Sequence, residues 1–267
     1  MTRAKKSFGQ NWLMDKTVVK KIVKAAQITP GETVLEVGPG TGVLTQALVD
    51  AGAHVIAVEA DTSLIAPLRE RFGDSIELIE GDVLSWGFTP AQAKACGYRY
   101  KLIANIPYNI TSDLLRRFLT TDPKPSRMIL MVQKEVADRI TAVPPDMSLL
   151  SVMCQLYAKC KHVAKVPAGA FRPIPKVDST VVQFEVFDSS SWGIDPEDVI
   201  ALVKRGFCSR RKQLHGNLKS FAHNSEQIKQ ALKSLGLSPS ARAQELSVEN
   251  WIALTHILNE KSKKHLG

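Results

Sequence analysis

Three short stretches of the chain concentrate groups able to hold a nucleoside. Val34-Leu35-Glu36-Val37-Gly38-Pro39-Gly40-Thr41-Gly42 reads as a strand entering a glycine-rich turn, followed by a helix from Val43. Glycines such as Gly38 and Gly40 let backbone approach a ligand closely at the carboxyl end of the first strand, where doubly wound sheets bind cofactors. The spacing is GxGxG, and Val43 stands where a dinucleotide turn carries Gly or Ala, which argues against a nicotinamide dehydrogenase. Glu59 closes the second strand, where a carboxylate can accept both hydroxyl protons of a ribose. Asp82, after the third strand, can accept from an adenine amino group, with Val83 offering the ring an apolar edge. Either acid alone could be a solvated strand end. The ordered set implies an adenosine-bearing ligand.

Asn105-Ile106-Pro107-Tyr108 follows the fourth strand. An amine conjugated to a purine ring is a poor nucleophile until its N–H groups donate to acceptors that favour a tetrahedral nitrogen. The Asn105 side-chain oxygen and the backbone carbonyls around Pro107 can be those acceptors, and Tyr108 can stack on a base turned out of its helix. Taken alone, the tetrapeptide could be a proline turn beside a buried tyrosine. The order of glycine turn, Glu59 and Asp82 resembles the class I S-adenosyl-L-methionine-dependent methyltransferases. The tetrapeptide resembles the (Asn/Asp/Ser)-Pro-Pro-(Tyr/Phe) signature of enzymes that methylate exocyclic amines. Direct methyl transfer asks for positioning more than for a general base, and no cysteine nucleophile is needed.

These residues need a scaffold, and the hydrophobic periodicity supplies one. Thr33–Val37, His54–Val58, Ile76–Ile79, Lys101–Ala104 and Arg127–Val132 read as strands separated by helical stretches, which predicts a Rossmann-like α/β sheet, mainly parallel and doubly wound. Thr180–Phe187, after the turn-rich Arg172-Pro173-Ile174-Pro175, reads as an antiparallel edge strand. Beyond the Ser189–Gly193 linker only helical spacing occurs, in Pro196–Phe207, Arg211–Phe221, Glu226–Leu235 and Val248–Leu258. A domain over 1–189 and a smaller all-α domain over 190–267 are expected. Lys261–Gly267 reads as a basic tail.

With these stretches in view, the chain resembles the KsgA-type family of 16S ribosomal RNA adenine dimethyltransferases over nearly its whole length. Ser7-Phe8-Gly9-Gln10-Asn11-Trp12-Leu13 is similar to the family's GQNFL block, with Trp12 for the usual Phe. Met131–Arg139, Phe171–Ser179 and Phe207–Leu214 match further blocks. The resemblance implies S-adenosyl-L-methionine contacts at Gln10, Asn11 and Leu13 as well as at Asn105, and a catalytic set of Asn105, Pro107, Tyr108 and Phe171. Phe171 would be a second aromatic wall for the target base, unless it is a core residue before the proline turn. Arg210, Arg211 and Lys212, expected on one helix turn, would bind RNA phosphates unless they form a merely solvated face. The resemblance further implies dimethylation of two adjacent adenosines in the hairpin loop near the 3′ end of 16S RNA, within an immature 30S subunit, by a monomer without metal. The 1–189 domain would carry the chemistry behind a basic arm, and the 190–267 domain would bind RNA or the ribosome. A 23S RNA methyltransferase of the macrolide-resistance type, a non-catalytic assembly or RNA-binding factor and a DNA adenine methyltransferase are the rival readings.

Composition agrees with such a partner. The 267 residues are 44% hydrophobic and 23% charged with net charge +9, which excludes a disordered or collagen-like chain. The charge divides into +6 over 1–30, −2 over 31–189 and +5 over 190–267. Basic ends around a neutral middle suit a polyanion, since phosphate contacts supply most of such affinity. Cys96, Cys154, Cys160 and Cys208 lack metal or disulfide spacing and read as buried small hydrophobes; the six histidines are scattered without ligand spacing. No transmembrane run or secretory leader is legible, so a cytoplasmic protein is expected.

Overall fold

The computed structural model describes residues 10–85, 99–219 and 224–264. The basic segment 1–6, Ser7–Gly9, Cys96, Phe221, His223 and 265–267 lie outside them. The chain divides into two compact units, 1–137 with 158–187, and 138–157 with 188–267.

The first unit contains β1 (Trp12–Leu13), α1 (Lys16–Ala26), β2 (Thr33–Val37), α2 (Val43–Asp50), β3 (His54–Glu59), α3 (Thr62–Phe72), β4 (Ile76–Glu80), β5 (Tyr100–Asn105), α4 (Thr111–Thr120) and β6 (Arg127–Gln133). It is completed by β7 (Ala158–Val166), β8 (Phe171–Arg172) and β9 (Ser179–Val186). Seven strands form one sheet in the order β4-β3-β2-β5-β6-β9-β7. The first five are mutually parallel, while β9 runs antiparallel to both its neighbours. All five residues of β2 are buried, as a strand covered on both faces requires.

Helix α1 starts at the N-cap Asp15, whose carboxylate accepts from the Thr17 and Val18 amides. It buries Val18, Val19, Ile22 and Ala26 in a cluster with Ile129, Met131 and Val181. Helix α2 begins at Gly42, where φ is +79° and a Cβ would lie 2.5 Å from the Phe72 ring. Only glycine meets both conditions there.

Two expectations about the sheet are corrected. The antiparallel strand near Thr180 is not an edge, because β7 pairs along its outer side. β7 itself was not expected: Lys159, Lys161, His162 and Lys165 are exposed along it, so it lacks an apolar alternation. Lysines on an outermost strand are a common guard against pairing with another chain.

The second unit holds the C-terminal end of α5 (Lys134–Ile140), then α6 (Leu149–Gln155), α7 (Pro196–Gly206), α8 (Leu214–Leu218), α9 (Ser225–Ser234) and α10 (Val248–Lys264). Its boundary lies at 187/188, and it also takes in 138–157, an excursion with no compositional mark. The Met147 amide donates to Gln244 O at 3.0 Å, and Trp192 Nε1 donates to Leu156 O at 2.9 Å. Trp251 is fully buried and packs on Gly206, where a Cβ would meet its ring at 2.3 Å. The expected basic tail is helical as far as Lys264. Cys154 is buried as expected, but Cys160 is half-buried and Cys208 exposed.

Candidate active site

The carboxyl ends of β2, β3, β4 and β5 lie side by side, and β2 is the strand from which the order runs both ways. Crevices open at such a switch point. Here a cleft gathers Gln10, Asn11, Gly38, Gly40, Glu59, Asp82, Val83, Asn105, Pro107 and Tyr108. Residues spread over almost a hundred positions of sequence thus share one wall system.

Glu59 ends β3 with its carboxylate buried. Oε2 accepts the Gly40 amide at 3.1 Å and Oε1 accepts the Asp61 amide at 2.8 Å. Each oxygen retains a second lone pair for a ligand hydroxyl. Burial raises its pKa above the usual carboxylate range, against the opposing effect of those two amides. Asp61, which sequence reasoning passed over, caps α3 and accepts from Gln10 Nε2 at 2.9 Å, setting Gln10 at the cleft wall. Its signal was legible as an N-cap directly before Thr62. Asp82 is exposed; its Oδ1 accepts the Leu84 amide at 2.9 Å, and Val83 is buried beside it.

Asn105 Nδ2 donates to Asn11 O at 3.0 Å. Because a carbonyl can only accept, this bond fixes which end of the amide is which, and Oδ1 is the end left to accept from a ligand. Pro107 O accepts the Ile110 amide at 3.2 Å and keeps one lone pair. Tyr108 opens a single 3₁₀ turn, Tyr108–Ile110, and its Oη lies 2.9 Å from Ser179 Oγ.

Three expectations are revised. Phe171 does not line the cleft: it is 1% exposed, pairs with Leu13 across the β1–β8 ladder, and packs in the hydrophobic core. Leu13, also buried, lines instead a smaller hollow under the glycine turn with Trp12, Glu36 and Asn105. Arg210, Arg211 and Lys212 are exposed as expected but sit on a turn between α7 and α8. Asn217 Nδ2 donates to Gly206 O and Ser209 O, at 2.6 and 2.9 Å, folding the chain back before α8 starts at Leu214.

Glu36, another residue overlooked, is 1% exposed, and its Oε2 has no hydrogen-bond partner among the described residues. Burial, reinforced by the Glu59 charge, pushes its pKa up to about 8. A carboxylate inside the otherwise apolar β2 was the available sequence signal. Among the described residues no group of three or more His, Cys, Asp or Glu is placed to hold a metal, and no helix is long and apolar enough to cross a membrane.

A family model described as ribosomal RNA adenine dimethylase matches residues 1–260. The chain is 42% identical over 268 residues to the ribosomal RNA small subunit methyltransferase A of Thermosynechococcus vestitus, covering 97% of this chain and 98% of that one. It is 39% identical over 273 residues to the protein of that name from Rippkaea orientalis, covering 98% and 100%. A solved dimethyladenosine transferase from Plasmodium falciparum superposes with a TM-score of 0.80 at 28% identity, covering 94% and 98%. The 23S rRNA methyltransferase ErmE superposes with a TM-score of 0.76 at 26% identity, covering 93% and 100%.

Proposed function

The chain belongs to the ribosomal RNA adenine dimethylase family, and on that premise we propose that it uses S-adenosyl-L-methionine to dimethylate N6 of two adjacent adenosines in the hairpin loop near the 3′ end of 16S RNA. The observation that carries this reading is the fixed orientation of the Asn105 amide within the cleft that also holds Glu59 and Asp82.

The residues suit the donor. Glu59 presents spare lone pairs for a ribose diol, Asp82 keeps one carboxylate oxygen for an adenine amine, and Val58, Val83 and Ile106 give the purine apolar walls. Gln10 and Asn11 border the same space. S-adenosyl-L-methionine supplies a methyl carbon made electrophilic by its sulfonium.

The protein's task is to make the acceptor nitrogen reactive and hold it in line. Asn105 Oδ1 and the Pro107 carbonyl accept the two N6 hydrogens, drawing the lone pair out of ring conjugation. Tyr108 stacks on the extruded base. With the donor held in the cleft, these contacts would present N6 to the methyl carbon as the carbon–sulfur bond broke, and the surplus N6 proton would leave to solvent. After one methylation a single N–H remains, so the second transfer keeps only one of the two acceptors. A loop target lowers the cost of extrusion, because its bases are already partly unstacked.

Arg210, Arg211 and Lys212 are proposed phosphate contacts, 190–267 the RNA- or ribosome-binding part, and the immature 30S particle the substrate of a cytoplasmic monomer. The resemblance in fold to ErmE makes 23S RNA the alternative substrate, while the relatives near 40% identity are named for the small subunit. Tritiated methyl transfer to immature 30S particles and to naked 23S RNA, run in parallel, tests the choice. Dimethyladenosine in 16S RNA is expected; incorporation into 23S RNA alone would overturn it.

A further inference from the structure

We propose that Ser179 is a positioning residue for the methyl-acceptor site, its hydroxyl setting the angle of the Tyr108 ring. The proposal rests on the reading of Tyr108 as the surface on which the target adenine stacks.

The two side chains lie 71 positions apart in sequence yet bring their oxygens to 2.9 Å. Ser179 offers a stiff anchor. It is 1% exposed and begins β9, paired with Gln133 on one side and Val166 on the other. Its neighbour Asp178 is tied twice more, accepting the Lys134 amide on its carbonyl and the Ala168 amide on its carboxylate, both at 2.9 Å. Tyr108, by contrast, is half-buried at the cleft wall, on a single short turn. Thr111 Oγ1 donates to the Tyr108 carbonyl at 3.2 Å, which holds the backbone but not the ring.

A tyrosine side chain keeps two free torsions unless its far end is held. The Oη–Oγ bond holds that end to the sheet, so the ring keeps one tilt while bases come and go. Stacking at a fixed tilt matters because N6 must meet the methyl carbon in line, and displacements of about 1 Å can cost ~100-fold in rate. If Ser179 served only to satisfy its own buried hydroxyl, its loss would lower stability and leave turnover intact.

The test uses the full-length chain with labelled methyl donor and immature 30S particles, measuring kcat, KM for RNA and the donor dissociation constant separately. Ser179→Ala and Tyr108→Phe are each expected to lower kcat about fivefold, the worth of one neutral hydrogen bond. The donor dissociation constant should stay within about twofold, and the double variant should be no slower than either single one, because both remove the same bond. Full kcat in either single variant, or losses that multiply in the double variant, would overturn the proposal. Tyr108→Phe breaks the bond from the cleft side, so the test survives if Ser179→Ala folds poorly. Wild-type protein inactive on RNA would instead bring down the functional reading together with this proposal, a result distinct from an active wild type with an equally active Ser179→Ala.

Discussion

The cleft of the first unit and the basic turn of the second are both built from connections between regular elements, and they are organised in opposite ways. At the cleft the polar groups are already engaged: Glu59 by two amides, Asn105 by Asn11 O, and Tyr108 by Ser179. At the turn, Asn217 binds only backbone carbonyls, and Arg210, Arg211 and Lys212 project into solvent. Bond-making chemistry needs dipoles fixed before the substrate arrives. Attraction of a polyanion works through charge over a Debye length of roughly 8–10 Å and needs no such fixing. A rigid cleft and a loosely specified basic turn are therefore suited to different parts of one reaction.

The comparison breaks first at Asn105. Asn105→Ala should lower kcat by about 1,000-fold, or ~4 kcal/mol, by analogy with loss of a pre-organised polar group, with RNA affinity held within twofold. Equal losses in kcat and RNA binding would show that the cleft also does the recognising. Gly206→Ala tests whether the second unit is rigid beneath its turn. The methyl group must displace Trp251, and a loss of about 3 kcal/mol is expected, read as a lower urea midpoint for unfolding followed by tryptophan fluorescence.

Glu36→Gln sharpens the other side. The Glu36 carboxyl holds its proton up to about pH 8 in the folded protein, while the unfolded chain releases it near 4.5. Between those values the unfolded state binds fewer protons, so wild-type stability falls as pH rises through the window and levels off above it. The variant should come close to wild type at pH 4.5 and exceed it by about 4 kcal/mol at pH 8 in ligand-free thermal melts. A constant difference across that range would remove the buried acid as the cause. The smallest effect is expected at the turn. Changing Arg210, Arg211 and Lys212 together to Ala should weaken RNA binding about tenfold and flatten its log–log salt dependence by about 2, with kcat unchanged at saturating RNA.

The central strands and the glycine turn were legible because a buried parallel strand is apolar on both faces, and a turn without side chains has few other uses. The cleft's carboxylates were legible from their places at strand ends. β7 was not, since its outward lysines erase the alternation that marks a half-buried strand. Phe171 shows another limit. An aromatic residue in a motif can wall a ligand or fill a core, and here pairing of β8 with β1 turns it inward. The affiliation of 138–157 with residues that follow 187 depends on contacts such as Met147 with Gln244, almost a hundred positions apart, which local pattern cannot carry.

That excursion has a consequence for how the chain is made. A nascent chain that has emerged only to about residue 187 carries 138–157 without the rest of the unit it folds with, leaving Leu156 without Trp192 and Met147 without Gln244. A stop codon or protease cut at 187 would not release a self-sufficient catalytic half; it would strand an apolar segment midway along it and invite aggregation.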